Sequence, residues 1–270
     1  MAISRRPRFT LLSSSGISRR TAIRSLTAGL IVFVTSLGVR AFAAESPAGD
    51  ALLKQIDKNL APDSYEMYRK LIDIQPDGTR KEWLLYTVKK GSDKVLALFL
   101  TPASDKGRST LRLAENMWLY IPGVDKPLRI TSLQSVTGGL FNNADILRLD
   151  FSNEYSVESM DTAGAETLLV LKAKTTSVAY DQLKMWINKQ NVLPVKVECY
   201  AASGLLIKTL RFRDIKDLGD GVPRPATVET DSPLYKGYKS LMIWAAIKPR
   251  KLPDEVFTLN YMSRVQELRR

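Results

Sequence analysis

From Glu82 to Ile247 the sequence is a succession of short apolar runs, each closed by a turn, and few folds accommodate that pattern. The runs include 82–88, 94–100, 116–121, 167–173, 193–201, 206–213 and 241–247. Turn signals separate them at Lys90-Gly91-Ser92-Asp93, Ser104-Asp105-Lys106-Gly107, Ile121-Pro122-Gly123, Asp161-Thr162-Ala163-Gly164 and Ala202-Ser203-Gly204. Before the first run, Gln75-Pro76-Asp77-Gly78 is a turn with a mechanism: Pro presets one dihedral and Gly accepts a positive φ. Short strands joined by tight turns build an antiparallel meander, curled or closed. Several runs are apolar on both faces: Trp83 and Leu85 oppose Leu84 and Tyr86, and Met117 and Leu119 oppose Trp118 and Tyr120. A half-solvated sheet would alternate instead. Two explanations stay open, a sheet covered on both sides and a sheet whose concave face holds an apolar ligand.

Two helical segments interrupt the strands. Asp50 can cap a helix that places Leu52, Leu53, Ile56 and Leu60 on one face and stops at Pro62. Later, Gly138-Gly139 precedes a segment at 140–149 in which Asn142 or Asn143 can cap a short helix carrying Ile146, Leu147 and Leu149. The glycine pair suits either a lid hinge or an ordinary crossover.

Composition removes several chemistries. With no His and one Cys, the chain has no Ser-His-Asp or Cys-His nucleophile, no His-based zinc site and no disulfide framework. The formal charge is +12, from 40 Lys and Arg against 28 Asp and Glu. Seven of the Arg (5, 6, 8, 19, 20, 24 and 40) precede Ala43 with no acid among them, leaving 33 against 28, or +5, for the rest. That modest remainder argues against nucleic acid as a partner. The Arg-rich start leads into an apolar stretch at 26–39 and then Ala41-Phe42-Ala43, which together describe a signal peptide over 1–43, cleaved between Ala43 and Ala44. An uncleaved anchor is the alternative, opposed by Arg40 within the span. Ser18-Arg19-Arg20 also resembles a twin-arginine motif, although Ala22 stands where an aromatic is usual, so both export routes stay open. Cys199 is too far from the cleavage site to be lipidated. The expected product is a periplasmic protein, soluble after cleavage, with one domain over 44–270.

No phosphate loop of the GxxxxGK type and no GxSxG elbow occurs. Asp214, Asp217 and Asp220 are spaced three apart, whereas calcium loops place carboxylates two apart, so a solvated turn is the better reading. No catalytic residue, metal site or cofactor is expected. Two basic clusters, Lys126 with Arg129 and Lys248, Arg250, Lys251 with Arg264, Arg269 and Arg270, read as solvated faces or as steering toward an anionic surface or acidic partner.

The run from Glu115 to Ile130, with Trp118-x-Tyr120-x-Pro122, then Lys126 and Arg129-Ile130, resembles the outer-membrane lipoprotein-sorting proteins, relatives of the periplasmic carrier LolA. The continuation through Ser132 to the glycine pair and the Asn- and Asp-bearing helix resembles them too, as do Trp186-Ile187 and the stretch from Leu193 to Glu198. The resemblance spans about Asp50 to Val265. It implies a mainly β chain with a few helices (α+β): a strongly curved, incompletely closed antiparallel β-barrel, helices covering its concave face.

On that resemblance the protein would be a carrier, not an enzyme. It would hold acyl chains of lipoproteins or other lipids in a hydrophobic cavity and deliver them toward the outer membrane. The expected lining is Trp83, Leu85, Leu98, Leu100, Trp118, Tyr120, Leu169, Leu171, Tyr200 and Trp244, with Leu53, Ile56, Ile146 and Leu147 as lid contacts and Arg129 as a candidate polar contact. A one-residue slip would turn any strand inside out. Partners would be acylated cargo and an inner-membrane exporter or outer-membrane acceptor, with the protein a monomer. The alternatives are a periplasmic lipid- or protein-sensing module on the same fold and an enzyme acting on envelope polymers.

Overall fold

The structure is a computed structural model that describes residues 46–269. The export signal expected over 1–43, and Arg270 of the basic cluster, lie outside them. Helix α1 (Pro47–Leu60) starts three residues before Asp50. Ser46, not Asp50, is its cap, accepting from the Gly49 N–H at 3.2 Å, with Pro47 in the first turn where a missing N–H costs nothing. Asp50 instead accepts the Val157 N–H at 2.9 Å and ties the helix to a strand. Ala61, extended because Pro62 follows it, ends the helix.

Thirteen strands follow: β1 (Ser64–Ile74), β2 (Arg80–Lys90), β3 (Lys94–Thr101), β4 (Ser109–Leu113), β5 (Asn116–Tyr120), β6 (Leu128–Ile130), β7 (Tyr155–Ala163), β8 (Glu166–Ala173), β9 (Gln182–Asn188), β10 (Leu193–Tyr200), β11 (Leu206–Asp217), β12 (Pro223–Asp231) and β13 (Lys239–Pro249). They form one antiparallel sheet in the order β6-β5-β4-β3-β2-β1-β13-β12-β11-β10-β9-β8-β7. Every neighbouring pair is consecutive in sequence except β1 with β13, the first and last strands. The expected turn at Gln75–Gly78 is present, with Gly78 at φ 84° and its N–H on the Gln75 carbonyl.

This order has one large consequence. The chain leaves the sheet at one edge, β6, and returns at the other edge, β7. The connection, residues 131–154, therefore has to cross the sheet. Two short helices stand in it, α2 (Asn143–Ile146) and α3 (Phe151–Glu154), where the sequence suggests one helix over 140–149. Asn142 caps α2 in a reciprocal capping box with Asp145.

The sheet has two covered faces of different extent. On the inner face, side chains from β1, β2, β3, β5 and β7 to β13 converge with α1 and the crossing segment on one apolar core, so the sheet wraps around them without closing. On the outer face, Tyr86, Val88, Leu96, Leu98 and Leu111 are buried beneath the C-terminal segment, which runs as 3₁₀ turns at Asp254–Phe257, Leu259–Tyr261 and Val265–Arg269. That explains the two-sided apolar strands: β2 and β3 are buried on both faces, whereas β8 and β9, lacking the outer cover, alternate buried and half-buried residues.

Candidate functional site

The inner core is a sheet wall on one side and a layer of α1 and the crossing segment on the other. Of the residues expected to line a cavity, Trp83, Leu85, Leu169, Leu171 and Trp244 stand on the wall, Leu53 and Ile56 come from α1, and Ile146 and Leu147 come from the crossing segment. The structure brings these nine into one cluster.

The other five lining candidates face outward, which corrects their expected direction. Leu98, Leu100, Trp118 and Tyr120 pack in the outer cluster under the C-terminal segment. Tyr200 hydrogen-bonds Glu198 at 2.5 Å beneath the Lys184 ammonium, which lies 5.1 Å from its ring centroid. The physical reason is the strand period of two: on β3, β5 and β10 the inner positions are Val95, Ala97 and Phe99, Met117, and Val197 and Cys199. Arg129 is exposed on the edge strand β6, with its guanidinium 5.1 Å from the Trp118 ring centroid and donating to Asn116, so it does not reach the crossing segment.

Four other polar groups do reach it, all from the inner face and all missed in the sequence. Asp57 of α1 accepts the Phe151 and Ser152 N–H groups at 2.8 and 2.9 Å, and burial raises its pKa against those hydrogen bonds. Lys89 pairs with Asp150 at 2.8 Å. Arg112 pairs with Glu154 at 2.5 Å and donates to the Leu147 carbonyl at 3.3 Å. Lys208 pairs with Asp145 at 2.6 Å and donates to the Leu140 carbonyl. Around Asp145 the network closes through Tyr180, whose hydroxyl donates to the carboxylate at 3.1 Å and accepts from Asn142 at 2.9 Å. Burial first, and then Asp145, hold the Tyr180 pKa well above its usual value.

Such pairs add little net stability against apolar replacements, yet breaking one half strands a buried charge. They act as a latch, satisfied only when the crossing segment is seated. Leu140 is latched through Asp73: the Leu140 N–H donates to Ser240 Oγ, which donates to the Asp73 carboxylate at 2.5 Å. Gly139 lies against that carboxylate, and a Cβ there would overlap it. Gly139→Ala is therefore expected to cost about 1–3 kcal/mol of unfolding free energy in a urea titration.

With the segment seated the interior is nearly full. Among its small cavities are one of about 50 Å³ and one of about 30 Å³, with Asp145, Arg148 and Leu210 in the wall of both. Since roughly 10–15 Å³ of such space admits one water, the pair accommodates a few water-sized groups and no acyl chain. Beside the start of the crossing segment a wider cleft of about 550 Å³ opens, walled by Lys81, Lys208, Lys239, Leu133, Leu234 and Tyr235 among others.

The remaining sequence features are structural. Asp217 accepts three backbone N–H groups, from Gly219, Asp220 and Gly221, and Asp220 pairs with the buried Arg224, so this loop is an internally bonded turn. In the C-terminal basic cluster Lys248, Lys251, Arg264 and Arg269 are exposed, as a solvated face requires, and the half-buried Arg250 fastens the C-terminal segment. Arg250 pairs with Glu66 at 2.5 Å and donates to the Leu268 carbonyl, Arg264 pairs with Glu267, and Arg269 stacks on Tyr68.

No curated protein matches the sequence. A family model described as "-like: Uncharacterized protein" matches residues 91–264, more than half of the chain. Among solved structures, a LolA superfamily protein from Nitrosomonas europaea is 28% identical with a TM-score of 0.71, covering 78% of this chain and 97% of its own. A putative outer membrane lipoprotein-sorting protein domain from Vibrio parahaemolyticus (19% identity, TM-score 0.67, covering 80% and 98%) and a DUF1329 family protein from Desulfovibrio piger (20%, 0.68, 80% and 98%) share the fold. The family model over 91–264 places the chain in the family of that model, and the curved, unclosed sheet with the segment that crosses it gives it the fold of the LolA superfamily protein.

Proposed function

We propose that this protein is a periplasmic carrier, exported by a signal peptide over 1–43, that binds acyl chains between its sheet and its crossing segment and delivers them toward the outer membrane. One observation carries the reading: an apolar wall is closed by a layer that joins its own apolar packing to buried polar latches. The similarity to a LolA superfamily protein supports it. Among the described residues no helix is long and apolar enough to cross a membrane.

The mechanism follows from solvent physics. An acyl chain in water costs about 0.8 kcal/mol per CH₂, so a dry wall offering the same contacts binds it without any covalent step. The two cavities are too small for such a chain, so cargo must displace Ile146, Leu147 and their neighbours, which then give up their own apolar contacts. Competition between segment and cargo keeps affinity moderate, and moderate affinity permits release to a stronger acceptor. The open cleft beside Leu140, with exposed Leu133, Leu234 and Tyr235 on its rim, is where a chain would enter. Lipoprotein or lipid is the cargo on this reading, and an exporter or acceptor in either membrane would be its partner.

Native mass spectrometry of the mature protein from periplasm, followed by hydrogen exchange with an added fluorescent fatty acid, tests this. Acylated adducts are expected, together with loss of amide protection over 140–154 on binding. A protein that carries no adduct and takes up no probe overturns the carrier reading. Uptake with unchanged protection over 140–154 overturns the displacement mechanism.

A further inference from the structure

Arg69 is a buried cation without an anion. It stands on the inner face of β1, where the pairing with β13 shifts register, and only 5% of it is exposed. Its Nε donates to Thr87 Oγ1 at 3.0 Å and its Nη1 to the Met242 sulfur at 3.7 Å. A guanidinium carries five N–H donors, and these two partners are neutral. Arg69 forms no ion pair among the described residues. Burial, with the like charge of Arg148 nearby, lowers its pKa to about 10, which leaves it charged at neutral pH.

Arg69 lines the cavity of about 50 Å³, and so do Arg148 and Trp244. Arg148 stacks 4.9 Å from the Phe151 ring centroid and 5.9 Å from that of Trp244 and also forms no ion pair among the described residues. The Trp244 indole N–H is buried with no acceptor. Carboxylates in the same wall are engaged elsewhere: Asp57 by the Phe151 and Ser152 amides, Asp145 by Lys208 and Asp150 by Lys89. Two guanidinium groups and an indole N–H thus line a small space, and among the described residues no carboxylate pairs with either guanidinium and no acceptor meets the indole N–H.

We propose that Arg69, together with Arg148 and the Trp244 N–H, binds the carboxylate of a long-chain fatty acid whose chain lies along the inner wall. The inference rests on the carrier reading and narrows its cargo, because the acyl chains of a lipoprotein end in neutral amides and esters. A guanidinium presents two parallel N–H groups to a carboxylate, and the cavity is small enough to suit that head and too small for a phosphodiester with two arms.

The test compares binding of hexadecanoate, hexadecanol and phosphatidic acid to the mature wild-type protein, Arg69→Gln and Arg148→Gln by displacement of a neutral fluorescent probe. Wild type is expected to prefer hexadecanoate over hexadecanol by about tenfold or more, as hydrogen bonds to charged groups imply. Arg69→Gln removes that preference and leaves hexadecanol unchanged, and the half-buried Arg148→Gln reduces it. Equal binding of acid and alcohol to wild type overturns the anion site while leaving the carrier intact, whereas binding of neither overturns both. Preference for phosphatidic acid over hexadecanoate overturns the carboxylate assignment. Arg69→Met settles the structural explanation: melting at or above the wild-type temperature supports a binding role, since a buried unpaired charge has been removed. A lowered melting temperature with both ligands weakened alike overturns the proposal.

Discussion

Deleting residues 252–270 is expected to abolish the fold, although this segment contributes no strand to the sheet. Leu252, Val256, Phe257, Tyr261, Met262 and Val265 are all buried against the outer faces of β2, β3 and β4. Each such side chain is worth about 1.5–3 kcal/mol on burial, so the segment's gross contribution is on the order of 10 kcal/mol. The stability of a whole domain is about 5–15 kcal/mol. Polar fastenings would go as well, among them the Ser109 hydroxyl on the Met262 carbonyl and Arg250 on the Leu268 carbonyl. What remains would expose Tyr86, Leu96, Leu98 and Leu111 as one apolar patch, the kind of surface that drives aggregation. Soluble yield and a circular-dichroism melt measure the outcome. A soluble truncated chain with an unchanged melting temperature would refute the assignment of this segment as an obligatory outer cover.

Lys208→Met is expected to unlatch the crossing segment without unfolding the sheet. The substitution strands Asp145, which keeps its two hydrogen bonds, from Tyr180 and Asn142, but loses its ion pair with Lys208. Removing one partner of a buried pair costs about 3–5 kcal/mol, and here the cost falls on the closed position of the segment. Amide protection over 140–149 should fall by the corresponding factor, with β8 to β13 unaffected. If closure competes with cargo, the apparent affinity for an acyl probe should rise, by up to about 100-fold for a shift of roughly 3 kcal/mol. Adding Asp145→Asn should recover most of the protection, since a neutral side chain leaves no charge stranded. Unchanged exchange over 140–149 in Lys208→Met would mean that the latch lies elsewhere.

Much of this architecture is legible in the sequence, and the part that is not has an identifiable cause. The meander, the turn at Gln75–Gly78, the helix before Pro62 and the cap at Asn142 depend on neighbouring residues, and local dihedral and capping preferences report them directly. The helix start at Pro47 is misjudged because Asp50 is as good a cap as Ser46, and only the contact with Val157 shows what Asp50 is used for. Facing is legible where one side is half-buried, as in β8 with Leu169 and Leu171. It fails for Leu98, Leu100, Trp118 and Tyr120, because those strands are covered on both sides and both phases read as apolar.

The candidate site divides the same way. Its aliphatic parts, Leu53, Ile56, Ile146 and Leu147, announce themselves by helical spacing. Its polar parts do not, since Lys89, Arg112 and Lys208 are charged residues in strands and look in sequence like any solvated position. Their partners lie 61, 42 and 63 residues away. Sequence by itself thus determined seven of the thirteen strands, the helix before Pro62 and the antiparallel meander they imply, because those properties are summed over local neighbours. Only the tertiary structure decided which face is the wall, that the C-terminal turns cover the other, and which buried charges are paired, latched or left open. Those depend on pairing the first strand with the last and carrying the chain from one edge of the sheet to the other, and no local preference encodes where the ends of a sheet will meet.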